Sequence, residues 1–147
     1  MNRKTIMLVE DDELDVISVQ RSLKKLEIDF ELVVAFNGAE AIEMLQGSSR
    51  IGPMGSLPDI VLLDLNMPRM NGLEFLQRIR ADPRLAHIKV FVMTTSGESA
   101  DRSSAEALGV SGYLVKPMSY GAPYNRKDSM EHFVQFHMRS ILLGLEE

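Results

Sequence analysis

Apolar residues fall along this chain in two alternating rhythms. Short unbroken runs fill positions 6–9, 60–63 and 90–93, and each is closed by polar residues. Such runs suit strands buried on both faces of a parallel sheet. Positions 30–36 and 113–115, rich in β-branched and aromatic side chains, predict two more strands. Between the runs, apolar residues recur at helical spacing: Val16, Val19, Leu23 and Leu26, then Ala41 and Leu45, then Leu73, Leu76 and Ile79. Positions 100–108 predict a weaker, polar helix, and Met130, Phe133, Val134, His137, Ile141 and Leu145 line a last one. Asn37-Gly38, Asp82-Pro83 and Gly109 punctuate the elements, and either Asp11 or Asp12 is placed to cap the first helix.

Strand and helix alternate five times, which predicts an α/β fold with a five-stranded parallel sheet and helices on both faces. A chain of 147 residues is expected to form one domain. Its core is expected over about 5–118, followed by a loop at 119–127 and a C-terminal helix over about 128–143. Positions 47–57, with three glycines, three serines and Pro53, read as a surface loop.

Composition narrows the function. The net charge of −5 opposes nucleic-acid binding. The absence of cysteine excludes disulfides and thiolate metal sites. No apolar run reaches the roughly 18 residues of a membrane span, and the first residues lack a signal-peptide pattern. A cytoplasmic protein acting away from the membrane is expected.

The chemistry gathers where strands end. The run at 60–63 stops at Asp64, and Pro68 opposes its continuation. The first strand ends in Glu10-Asp11, the fourth at Thr94 and the fifth at Lys116. In an open parallel sheet these ends share one edge, where ligands bind. Clustered carboxylates repel one another. A hard cation such as Mg²⁺ relieves this, and it commonly joins one or two carboxylates to phosphate oxygens. A carboxylate is also a competent nucleophile toward phosphorus. The set therefore suits phosphoryl transfer to Asp64, with the cation and the Lys116 ammonium neutralising the incoming charge.

The segment Asp64 to Leu76, reading Asp-Leu-Asn-Met-Pro-Arg-Met-Asn-Gly-Leu-Glu-Phe-Leu, resembles the phospho-acceptor strand and following helix of response-regulator receiver domains, the CheY-like family. The 30 residues from Asp64 to Thr94 and 22 from Thr94 to Lys116 match the family pattern. The resemblance covers roughly residues 5–118, apart from the loop at 47–57, plus a final helix. It implies a flavodoxin-like doubly wound sandwich of five βα units with strand order 2-1-3-4-5. Asp64 would be the phospho-acceptor, and Lys116 and Thr94 would hold the phosphoryl group. Asp11 and Asp64 would bind Mg²⁺ directly, Glu10 through water and Asn66 through its backbone carbonyl. Thr94 and Tyr113 would form the switch, and the Lys116–Pro117 peptide would be cis. The implied partners are a histidine kinase or histidine phosphotransfer protein, a downstream protein target, and a second copy of the chain in a homodimer. The Glu10-Asp11 pair, Thr94-Thr95-Ser96 and the extended last helix look like standalone regulators of phytochrome-type kinases.

Other readings compete. A hydrolase of the haloacid-dehalogenase type would want a second aspartate two residues after the nucleophile, where this chain has Asn66. A phosphorylation-independent interaction module would keep the fold and not the chemistry. Asp12 and Glu13 read as a helix N-terminus that favours negative charge. Arg78, Arg80 and Arg84 read as a solvated face, and His87, His132 and His137 show no metal spacing.

Overall fold

The computed structural model describes residues 4–24, 29–47, 57–65, 67, 70–94 and 99–115. Five strands, β1 (Lys4–Val9), β2 (Phe30–Ala35), β3 (Ile60–Asp64), β4 (Lys89–Thr94) and β5 (Gly112–Val115), form one sheet in the order 2-1-3-4-5, every pair parallel. Among the described residues four helices connect them: α1 (Glu13–Lys24), α2 (Gly38–Gln46), α3 (Gly72–Ala81) and α4 (Ser99–Ala107). This is the doubly wound arrangement the alternation predicts. The loop expected at 119–127, the last helix, Lys116 and the peptide to Pro117 lie outside the described residues.

The unbroken apolar runs are explained by burial on both faces. Within β1, Ile6 and Leu8 join one apolar cluster and Met7 and Val9 the other. β3 divides the same way, with Ile60 and Leu62 against Val61 and Leu63, and so does β4, with Phe91 and Met93 against Val90 and Val92. Val16, Val19 and Leu23 of α1 cover the first face, whereas α2, α3 and Ala105 of α4 cover the second. Burying a side chain of this size contributes about 1.5–3 kcal/mol, so the three central strands carry most of the fold.

Helix ends follow local chemistry. The Asn37 side chain accepts a hydrogen bond from the Glu40 amide at 2.8 Å and starts α2. Asn71 and Glu74 form a reciprocal capping box on α3. At the start of α1 the capping residue is Asp12, whose Oδ1 accepts from the Leu14 amide at 2.8 Å. Gly109, at φ +75°, ends the turn after α4 in the left-handed region that glycine favours.

Candidate functional site

Strand register sets the site. Val9 lies across from Leu63, Asp64 across from Met93, and Thr94 across from Val115. Residues 10 and 64 are therefore level at the carboxyl edge, and Thr94 ends β4 one step further along. The Glu10 amide donates to the Ala35 carbonyl at 3.0 Å, which extends the β1–β2 pairing one step beyond the strand.

Three carboxylates meet there. Glu10, Asp11 and Asp64 each offer one oxygen, and these oxygens lie within 4.8 Å of one another. Glu10 is fully buried and Asp64 is 2% exposed, whereas Asp11 is open to solvent. The Asp12 amide donates to Glu10 Oε2 at 3.1 Å and orients that carboxylate. The donor set fits a hard cation. With Mg–O bonds of about 2.1 Å, opposite ligands of an octahedron stand roughly 4.2 Å apart, and neighbouring ones closer. Three oxygen donors within 4.8 Å of one another, one of them facing solvent, need close in by only a few tenths of an ångström to share such a shell.

The floor of the site is backbone. The Gly72 amide donates to the Leu65 carbonyl at 3.1 Å, so α3 starts directly beneath the end of β3. The Gly38 amide donates to the Met70 carbonyl at 3.2 Å and ties α2 to the same connection. A Cβ on Gly38 would stand 2.6 Å from that carbonyl oxygen. The segment after Asp64 is thereby closed at both ends by close backbone contacts.

Of the residues singled out in the sequence, Glu10, Asp11 and Asp64 are brought together. Thr94 ends β4 on the same edge. Tyr113, half-buried, packs against the cluster beneath α2, α3 and α4, one residue before Leu114, which belongs to the opposite face. Asn66 and Lys116 lie outside the described residues.

Arg80 differs from its expected place on a solvated face. Four of its N–H groups donate to backbone carbonyls: Nε to Leu108 at 2.7 Å, Nη1 to Ala86 at 3.0 Å and Ile88 at 2.9 Å, and Nη2 to Gly109 at 3.1 Å. Burial pulls its guanidinium below the ordinary value, but an arginine remains charged at neutral pH. Its position carries the missed signal. Arg80 follows Leu76 by four residues, so its stem shares the helix face that packs inward. Arg78 is exposed as expected, and Arg84 is exposed and pairs with Asp82 at 3.4 Å.

Comparison with known proteins agrees with the geometry. Residues 6–122 match the response regulator receiver domain family. The chain is 36% identical to the response regulator Rcp1 of Synechocystis sp. over 88% of each protein. The fold superposes on the phosphorylated cyanobacterial phytochrome response regulator RcpA with a TM-score of 0.79 and 29% identity, covering 99% of this chain and 98% of the other. It superposes on Mn²⁺-bound Rcp1 with a TM-score of 0.76 and 36% identity, covering 90% and 93%. No helix among the described residues is long and apolar enough to cross a membrane. Parallel β-sheet, acidic rim and family match converge: this chain belongs to the response regulator receiver domains, the signalling modules of two-component systems.

Proposed function

We propose that the chain works as a single receiver domain that accepts a phosphoryl group on Asp64 with Mg²⁺ bound beside it. The meeting of Glu10, Asp11 and Asp64 within 4.8 Å at the end of a buried strand carries this reading. Asp11 and Asp64 would ligate the cation, with the Asn66 carbonyl, and Glu10 would act through water. When bound, the cation supplies positive charge to the oxygens of the incoming phosphoryl group.

One Asp64 oxygen attacks phosphorus in line with the leaving atom. The P–O bond to Asp64 forms as the bond to the donor breaks, and the electron pair departs with the donor, a phosphohistidine imidazole. Burial of Asp64 and Glu10 keeps bulk water from the carboxylate that must attack. Lys116 and the Thr94 hydroxyl would hold phosphoryl oxygens. The acyl phosphate adds about −1.5 to −2 charge and three acceptor oxygens. Thr94 with Tyr113 and α4 would form the two-state element that responds.

The donor would be a histidine kinase or phosphotransfer protein, and the likeness to RcpA and Rcp1 favours a phytochrome-type kinase. The output would be a protein contact, with a downstream partner or a second copy of the chain, in the cytoplasm. The experiment is incubation of wild type and Asp64→Ala with acetyl phosphate and Mg²⁺, read by intact mass, and with beryllofluoride, read by NMR. Wild type gains one phosphoryl group and shifts; Asp64→Ala does neither. A folded wild type silent in both assays would establish instead a phosphorylation-independent interaction module.

A further inference from the structure

Arg80 joins three pieces of chain that sequence keeps apart. It lies in the last turn of α3. Its guanidinium donates to the carbonyls of Ala86 and Ile88 in the α3–β4 connection and to those of Leu108 and Gly109 just beyond α4. A helix leaves its last carbonyls without partners inside the helix, and its C-terminal end carries partial negative charge. One cation here ties the carbonyls just beyond that end of α4 to those of the α3–β4 connection. The planar fork suits the task, because its N–H groups diverge in one plane.

The second half of α4, residues 103–107, is held lightly. Of its described side chains, Ser103, Ser104, Glu106 and Ala107 are exposed and only Ala105 is buried. A methyl group buries little apolar area. Beyond the helix the chain is fixed again, with the Leu108 amide donating to Ala105, Gly109 to Glu106 and Ser111 to Val90 at 2.7–3.0 Å. The other end of α4 begins at Ser99, five positions after Thr94 at the carboxyl edge. The start of α4 thus follows Thr94 closely in sequence, and the chain just beyond its other end is bolted to Arg80 of α3.

From this we infer that Arg80 is the pivot of α4: change at the phosphoryl site swings the end near Ser99, while the end at Leu108–Gly109 stays hinged on the Arg80 guanidinium. The inference rests on the receiver reading for its trigger, and on the four hydrogen bonds for its hinge. Arg80 is a positioning residue and touches no phosphoryl group.

Amide hydrogen exchange on the full chain tests it, with wild type, Arg80→Lys and the control Arg78→Lys, each with and without Mg²⁺ and beryllofluoride. A lysine keeps the charge and loses the fork. At rest, Arg80→Lys is expected to speed exchange at Leu108, Gly109 and Ser111 by roughly tenfold or more, while β1 and β3 stay unchanged and Arg78→Lys behaves as wild type. With beryllofluoride, the wild-type change is expected to stop within α4, and in Arg80→Lys to run through residues 108–111 into β5. Equal beryllofluoride change at both ends of α4 in wild type would overturn the hinge, as would resting exchange at 108–111 that Arg80→Lys leaves unaltered. A wild type that ignores beryllofluoride, beside an Arg80→Lys variant loosened only at 108–111, would refute the receiver reading and support the clamp.

Discussion

Gly72 rests directly on the backbone of Asp64: a Cβ at position 72 would stand 2.5 Å from the Asp64 carbonyl oxygen and 2.5 Å from Leu65 Cα. Neither atom belongs to a flexible side chain, so neither can step aside. The first residue of α3 must therefore be glycine for the helix to start beneath the acceptor strand. Gly72→Ala is expected to cost about 2 kcal/mol or more, in the range of overpacked sites, despite the better helix propensity of alanine. It should also displace the Asp64 carboxylate. Urea unfolding should show a lower midpoint, and beryllofluoride binding should weaken in the fraction that remains folded. Unchanged stability would mean that the two elements separate easily.

Much of this architecture is legible in the sequence because the physics is local or periodic. The run at 60–63 is apolar at every position because both faces of β3 are covered, and its end at Asp64 marks the sheet edge. Asn37, Asn71 and Gly109 announce helix ends by their own chemistry. Arg80 was not legible. Its partners are carbonyls of Ala86, Ile88, Leu108 and Gly109, and a carbonyl leaves no mark in a sequence. The close approaches at Gly38 and Gly72 were hidden likewise, since a glycine announces freedom and not which backbone lies against it. At the site, the clustering of Glu10, Asp11 and Asp64 follows from parallel register, which the alternation of elements already implies. The full burial of Glu10 does not follow, because it depends on how the chain after β1 turns over it.

The capping box of α3 gives a prediction confined to stability. Asn71 Oδ1 accepts from the Glu74 amide at 2.9 Å, and Glu74 Oε1 accepts from the Asn71 amide at 3.1 Å. Asn71→Ala removes the first bond and frees the second partner to move. The expected loss is about 1 kcal/mol, seen as a lower urea midpoint. Asn71→Asp should recover most of it, since an aspartate accepts the same bond and adds negative charge at a helix N-terminus. A variant as unstable as the alanine one would refute capping as the role of Asn71.

Asp82 should give the protein an acid-sensitive turn. The Arg84 amide donates to its Oδ1 at 2.9 Å and the Arg84 guanidinium lies at 3.4 Å, and these bonds hold the carboxyl below its ordinary value. A carboxyl whose value is lower folded than unfolded stabilises the fold once pH exceeds the unfolded value. That contribution is lost as pH falls through the folded value. Stability measured from pH 6 downward should therefore fall with a component that Asp82→Asn removes. Identical slopes in the two proteins would show that the turn does not depend on the charge.

Asp11 offers the sharpest test of the metal. It is the exposed member of the acidic trio, so its replacement disturbs little packing, unlike that of the buried Glu10 or Asp64. A ligand that binds only the folded state stabilises it by RT ln(1 + [L]/Kd), about 1.4 kcal/mol at ten times Kd. Wild type should therefore melt higher as Mg²⁺ is added, and calorimetric titration should return a single site. Asp11→Asn keeps the shape and removes one anionic ligand. Its melting temperature should scarcely respond to the same Mg²⁺ concentrations, while its metal-free stability stays near that of wild type. Loss of the Mg²⁺ response with stability retained would assign the cation to this rim. A response of wild-type size in the variant would move the cation elsewhere and leave the clustering of Glu10, Asp11 and Asp64 without its metal.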